Sequence, residues 1–272
     1  MMQPRTYLFV PGNRAERFDK AWVSAADAVV LDLEDAVAAQ DKDGARENVE
    51  RWLAQRSEQE RPRVVVRIND ASTPWFVADA AMLHRVGAAL AMLPKADSAQ
   101  TIADLRRAGG GQLKVLALIE SAHGVQEITQ VATAPGVVRL AFGTIDYALD
   151  MNLADDGVGL DYAYSRIAVA SRACGLPAPV AGVTADIRNA ARIRQDLERA
   201  RCHGFGAKLC IHPDQVTVVH EALRPRPDDI AWAQRVADAS NAAAGAAIQV
   251  DGRMVDRPVI EQALSILRRA AV

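Results

Sequence analysis

Apolar runs of strand length alternate along this chain with amphipathic stretches of helix length. The strand-like runs fall at residues 6–10, 28–32, 64–68, 89–93, 115–119, 138–142, 179–181 and 207–211. Several are apolar throughout rather than alternating, as expected of strands covered by helices on both faces. The seventh is the shortest and is flanked by prolines. Between the runs, helical periodicity predicts helices over 15–25, 42–55, 75–85, 99–108, 125–132, 162–173, 186–200 and 214–222. Breakers such as Pro11-Gly12-Asn13, Gly109-Gly110-Gly111 and Pro135-Gly136 sit between elements.

Eight β/α units predict an α/β fold, a (β/α)8 TIM barrel, with an open doubly wound sheet as the alternative. Residues 1–222 form this catalytic domain. A polar linker over 223–229 then leads to an alanine-rich helix at 230–244, an exposed turn at 250–256 and a last helix at 259–270. Residues 223–272 are thus a C-terminal helical extension, packing on the barrel or on a neighbouring subunit.

At 272 residues with apolar positions spread evenly, the chain reads as one large domain with an appendage. Its net charge of -2, from 32 basic and 34 acidic residues, offers no general attraction to nucleic acid or anionic membrane. An anion site must therefore be local. No run approaches the roughly 20 apolar residues that span a bilayer, and no basic-then-apolar leader opens the sequence. Three cysteines, Cys174, Cys202 and Cys210, are too few for a disulfide framework. A cytoplasmic location with reduced thiols is expected.

Three apolar runs end in acid: Val29 to Asp35, Val115 to Glu120 and Val137 to Asp146. Carboxylates just past buried strands are costly to desolvate unless paired or bound to a cation. Glu120 and Asp146 follow consecutive strands, so a barrel brings both to one face, where they suit Mg²⁺; the alternative is that each caps the helix after it. Asp32, Glu34 and Asp35 cannot all point inward. They read either as solvated acids at a helix start or as supports that hold metal waters or an arginine. Arg67, near the end of the third strand, suits bidentate carboxylate recognition or an ion pair with these acids. Pro11, Gly12 and Asn13, beside Arg14 and Arg17, form either an anion-binding turn at a helix start or an ordinary turn. Cys202, His203, Cys210 and His212 lack zinc spacing and straddle a strand. There is no nucleophile elbow, P-loop lysine or dinucleotide fingerprint.

Taken together, Tyr7-Leu8-Phe9-Val10-Pro11-Gly12-Asn13-Arg14, Val30 to Val37, Arg67-Ile68-Asn69, Leu93-Pro94-Lys95, Leu118-Ile119-Glu120-Ser121, Phe142-Gly143-Thr144-Ile145-Asp146 and Gly204 to Pro213 resemble the citrate lyase β-subunit family. This is the group of the HpcH/HpaI aldolase superfamily that includes malyl-CoA and citramalyl-CoA lyases. The resemblance implies a Mg²⁺-dependent barrel that makes or breaks a carbon–carbon bond between an acyl thioester and an α-keto acid or glyoxylate. It implies that Glu120 and Asp146 bind Mg²⁺ and that Arg67 contacts the substrate carboxylate or the thioester oxygen. Arg14, Arg17 and the Pro11-Gly12-Asn13 turn would approach the phosphates of coenzyme A or of a carrier protein's phosphopantetheine. Gly252 to Pro258 resembles the segment whose aspartate, here Asp256, serves a neighbouring subunit as acid/base, which implies a homo-oligomer, a trimer or hexamer; the alternative is that Asp256 is an ordinary helix N-terminal aspartate before Pro258. Relatives often carry an acid at the end of the seventh strand, where this chain has Val180-Ala181-Gly182-Val183. A non-catalytic subunit binding CoA or an acyl carrier protein, and a pyruvate aldolase without CoA, are the alternatives.

Overall fold

The computed structural model describes residues 3–154, 157–242 and 248–270. It resolves two units, Met1–Val219 and His220–Val272.

In the first unit, eight parallel strands close into a barrel in sequence order: β1 Thr6–Pro11, β2 Ala28–Asp32, β3 Val64–Arg67, β4 Leu90–Leu93, β5 Lys114–Ile119, β6 Val137–Phe142, β7 Val180–Ala181 and β8 Ala207–Cys210. Closure is made by β1 against β8, with Thr6 opposite Lys208. The connecting helices are α1 Phe18–Trp22, α2 Lys42–Ala54, α3 Phe76–Val86, α4 Ala99–Gly109, α5 Ala122–Gln126, α6 Ile128–Thr133, α7 Thr144–Asp150, α8 Asp161–Ala173 and α9 Ala190–Cys202, with α10 Pro213–Leu223 after β8. The barrel is thus the fold that the strand count predicts, and the open sheet is excluded.

Alternate residues of each strand fill the barrel. Tyr7, Val30, Val65, Met92, Leu116, Leu118, Ala141, Val180 and Leu209 form one buried cluster inside it. The other set, such as Val29 and Leu31, is buried beneath the helices, which is why the strand sequences do not alternate. Ser98 caps α4 by accepting the Thr101 amide at 3.2 Å, and Ser121 caps α5 by accepting the Gly124 amide at 3.0 Å.

Several helix boundaries differ from expectation. The stretch 15–25 is a 3₁₀ turn, Ala15–Arg17, followed by the five-residue α1, and Ser24 ends it by donating to the Ala21 carbonyl at 2.6 Å. The stretch 125–132 divides into α5 and α6 at Glu127. Helix α9 starts at its Asn189 cap rather than at Asp186. Helix α7 lies outside the expected helix ranges, although the capping alternative for Asp146 called for a helix at this point, and it starts at Thr144, ahead of Asp146.

The second unit contains α11 Pro227–Ala242, the strands β9 Ile248–Val250 and β10 Arg253–Val255, and α12 Arg257–Ala270. The expected exposed turn at 250–256 is a hairpin, with Asp251 and Gly252 both at positive φ, 51° and 76°. Most of the expected linker at 223–229 lies inside α10 and α11. Val236, Val250, Val255, Ala263 and Ile266 form a small separate core. Among the described residues no helix is long and apolar enough to cross a membrane.

Candidate active site

The C-terminal ends of the strands surround a cavity of about 390 Å³, lined in part by Phe9, Asp32, Asp35, Arg67, Glu120 and Asp146. This is the barrel face that carries the chemistry in enzymes of this architecture.

Glu120 is the first residue past β5 and is 4% exposed. Its Oε1 accepts the Lys95 amide at 2.8 Å. Lys95 presents that amide from a left-handed backbone, φ 44°, which is uncommon outside glycine. The other side of the carboxylate lies against Gly143, where an added Cβ would stand 2.5 Å from Oε2. Gly143 is pinned by its amide, which donates to the Ile119 carbonyl at 2.8 Å. Glu120 does not cap α5, because Ser121 does so. Asp146 lies not on the strand but in the first turn of α7, one turn above β6.

Burial raises the Glu120 pKa to about 7, and the neighbouring Asp146 charge adds to the rise. Asp146 is raised chiefly by burial and then by Asp35. Two desolvated carboxyls that resist ionisation together are stabilised as carboxylates by a shared cation. Four carboxylates and one guanidinium line the cavity. Among the described residues no three His, Cys, Asp or Glu side chains form a complete metal cage. A two-carboxylate site completed by waters and ligand oxygens is the arrangement Mg²⁺ favours, so the residues fit that ion.

Arg67 is clamped. Its Nε and Nη2 each donate at 2.7 Å to the two oxygens of Asp32, a bidentate fork. Glu34 Oε2 lies 2.7 Å from Nη1 as an ion pair without hydrogen-bond alignment, and Asp35 lies 3.5 Å away. The guanidinium sits 4.9 Å from the centre of the Phe9 ring. Burial lowers the Arg67 pKa and Asp32 raises it, with a net rise. Burial also pushes Glu34 up to about 8. Asp32 further accepts the Glu34 amide at 2.9 Å. The reading of Asp32 and Glu34 as solvated acids at a helix start is therefore corrected: both are buried on Arg67, and only Asp35 is exposed.

The Pro11 to Arg17 segment starts at the last residue of β1. The Gly12 amide donates to the Asp32 carbonyl at 2.7 Å, so close that a Cβ there would stand 2.8 Å from that oxygen. Asn13 reaches Asp41 at 3.3 Å. The helix expected here is only a 3₁₀ turn, and the Arg14 and Arg17 amides bond to the Pro11 and Arg14 carbonyls at 2.9 Å. The helix-start anion site is thus replaced by two half-exposed arginines sharing Glu16, at 2.7 and 3.9 Å. Asp256 lies in the second unit, where its Oδ1 accepts the Val259 amide at 3.4 Å as α12 begins. Cys202 is exposed, Cys210 is buried, and His203 faces Ser165 and Asp161 at 3.0 and 3.1 Å.

Sequence reasoning assigned no role to Lys95, Gly143 or Phe9. A backbone amide's role leaves no mark in residue type, whereas a glycine directly after a strand is a signal of close approach that could have pointed to Gly143. Gly143→Ala should lower Mg²⁺ affinity roughly 10–100-fold by displacing Glu120, as calorimetric titration would show. Unchanged affinity would mean that the carboxylate is not positioned by this contact.

The raised carboxyl pKa values set a pH dependence. A folded-state Glu120 pKa of about 7, against an ordinary 4.5, favours the protonated fold. In the metal-free protein that contribution is full below pH 4.5 and is lost as the pH rises through 7, with Glu34 extending the loss to about 8. Mg²⁺ needs the ionised pair, so the rise in Tm on adding Mg²⁺ should be small near about pH 5.5 and grow towards about pH 8. A Mg²⁺ increment independent of pH would contradict the coupling.

A closed parallel barrel with a carboxylate pair, Glu120 buried and Asp146 half-buried, and a clamped arginine at its C-terminal face is the framework of an aldolase-type carbon–carbon lyase. Residues 5–213 match the HpcH/HpaI aldolase/citrate lyase family, and the chain belongs to that family. It is 36% identical over 271 residues to a citrate lyase subunit beta-like protein of Mycobacterium tuberculosis, covering 97% of this chain and 94% of that one. It is 31% identical over 275 residues to a (3S)-malyl-CoA thioesterase of Cereibacter sphaeroides, covering 98% and 94%. The solved structure of CitE from Mycobacterium tuberculosis in complex with magnesium, acetoacetate and coenzyme A superposes with a TM-score of 0.87 at 35% identity, covering 98% of both chains.

Proposed function

We propose that this enzyme cleaves or forms a 3-hydroxyacyl thioester such as malyl-CoA, citramalyl-CoA or a citryl thioester, with an acyl thioester and an α-keto acid or glyoxylate as the other partners. The observation that carries this reading is the gathering of Glu120, Asp146 and the clamped Arg67 in one cavity. The similar CitE structure contains magnesium, a keto acid and coenzyme A together.

Glu120 and Asp146 are the residues to hold Mg²⁺, with Lys95 and Gly143 fixing Glu120. When bound there, Mg²⁺ supplies Lewis-acid stabilisation to the oxygen where charge builds. Arg67, already rigid on Asp32, offers its remaining N–H groups to the thioester oxygen and needs little reorganisation as enolate charge develops. Leu118, Val183 and Leu209 supply the apolar lining that keeps water away. In the cleavage direction a base takes the hydroxyl proton, the carbon–carbon bonding pair passes into the thioester enolate, and a proton then returns to the α-carbon. The base assigned is Asp256 from the C-terminal extension of a neighbouring subunit, residues 223–272 serving as that extension. Arg14 and Arg17 face the diphosphate of CoA or a carrier protein's phosphopantetheine.

A panel of CoA thioesters with Mg²⁺ tests the reading. Turnover of at least one supports it, whereas thioester binding without turnover favours a non-catalytic subunit. Turnover of a free keto-acid aldol that CoA does not inhibit favours the CoA-free aldolase. Mixed oligomers of Asp256→Ala and Arg67→Ala chains should regain activity that neither variant has alone, and no rescue would remove Asp256 from the role.

A further inference from the structure

The opposite, N-terminal end of the barrel holds a second cavity, largely apolar in its lining but with charged side chains set into it, that the lyase reaction does not use. It measures about 570 Å³, within the range of small-ligand sites, and is lined by Arg63, Lys114, Arg139, Asp27 and Tyr7 among others. Barrel interiors are normally filled by branched apolar side chains. Here β6 places Arg139 two residues before Ala141, a member of the interior cluster, and Arg139 is only 4% exposed.

A buried guanidinium normally has a carboxylate or other anion beside it, because desolvating the charge is costly. The partners of Arg139 are neutral: Nε donates to the Ala178 carbonyl at 2.7 Å, and Nη1 to the Pro4 carbonyl at 2.6 Å and the Tyr7 hydroxyl at 3.2 Å. Among the described residues no carboxylate forms an ion pair with it. Arg63 likewise donates to carbonyls, those of Ser24 and Ala26 at 3.2 and 2.8 Å. Asp27, the acid in the lining, turns its Oδ2 to the Arg5 and Thr6 amides and the Thr6 hydroxyl at 2.7, 3.0 and 3.2 Å. Three cations and one occupied acid leave the cavity positive in a chain whose net charge is -2.

We propose that this cavity is a binding site for a small dianionic oxyanion, a phosphate or a dicarboxylate, held by Arg139, Arg63 and Lys114 at the closed end of the barrel. The ligand supplies the counter-charge beside Arg139, whose Nη2 is the nitrogen left to donate once Nε and Nη1 are bonded to Ala178, Pro4 and Tyr7, and a charge-assisted hydrogen bond to an oxyanion is stronger than one to a carbonyl. The site is separate from the Mg²⁺ face, so the claim stands whether or not the lyase reading holds.

The test is titration of the full chain with inorganic phosphate and, in a separate arm, succinate, at ionic strength matched with chloride. Heat of binding and Tm are both followed. The wild type should bind at least one of the two and gain thermal stability with its concentration. Lys114→Glu, on the exposed edge of the cavity, should weaken binding about tenfold or more and leave the thioester kinetics unchanged. Arg139→Gln should abolish binding; if it fails to fold, Lys114→Glu decides alone. Binding of phosphate but not succinate, or the reverse, identifies the ligand chemistry. Binding of neither, or binding that Lys114→Glu leaves intact, overturns the proposal.

Discussion

Glu120→Gln should lower kcat/KM with the preferred thioester by about three orders of magnitude, several kcal/mol of lost transition-state stabilisation. The substitution keeps the side chain's volume and its acceptor for the Lys95 amide, and removes only the charge. It also removes a desolvated carboxyl, so the metal-free protein should melt no lower than wild type. That separation is the point of the experiment: a folding defect would lower Tm and activity together. Asp146→Ala should match it in activity. If either variant keeps activity within about tenfold of wild type, the carboxylate pair is not the metal site.

Arg67→Ala should cost about 3–5 kcal/mol of stability, because it strands Asp32, which is 1% exposed, without its partner. Activity should fall with it, since the same guanidinium faces the cavity. The two effects are separable. Adding Asp32→Leu to Arg67→Met removes both buried charges and should recover much of the stability while recovering no activity. Chemical denaturation of the single and double variants measures the first; steady-state kinetics measures the second. A stable single variant would show that Asp32 has other means of support.

The barrel was legible because its strands are buried on both faces, so runs such as Val29-Val30-Leu31 stand out whatever the register. Helix α7 was legible only through the capping alternative for Asp146: it is seven residues long, and with Ile145 and Leu149 53% and 80% exposed its apolar residues do not form one buried stripe. The hairpin carried its Asp251-Gly252 signal, but strands of three residues are too short to show a period.

In the site, position made Glu120 and Asp146 candidates, because acids that follow buried strands are few, and the family resemblance rather than position set metal binding above helix capping. The pairing of Asp32 with Arg67 needed the register, since the two are direct partners across β2 and β3, 35 residues apart. The clamp on Glu120 came from a Lys95 amide and an absent Cβ at Gly143, neither of which is a side-chain property. The arginine at the barrel floor was hidden inside an apolar run, Val137-Val138-Arg139-Leu140-Ala141-Phe142, that otherwise reads as core strand.

Product analysis of a malyl-CoA or citramalyl-CoA reaction, with and without Mg²⁺, tests the central claim most directly. A carbon–carbon lyase releases acetyl-CoA and an equal amount of glyoxylate or pyruvate, only when Mg²⁺ is present and not with Glu120→Gln. Free CoA with an intact hydroxy acid as the primary product, or metal-independent release of the same products, would contradict the account.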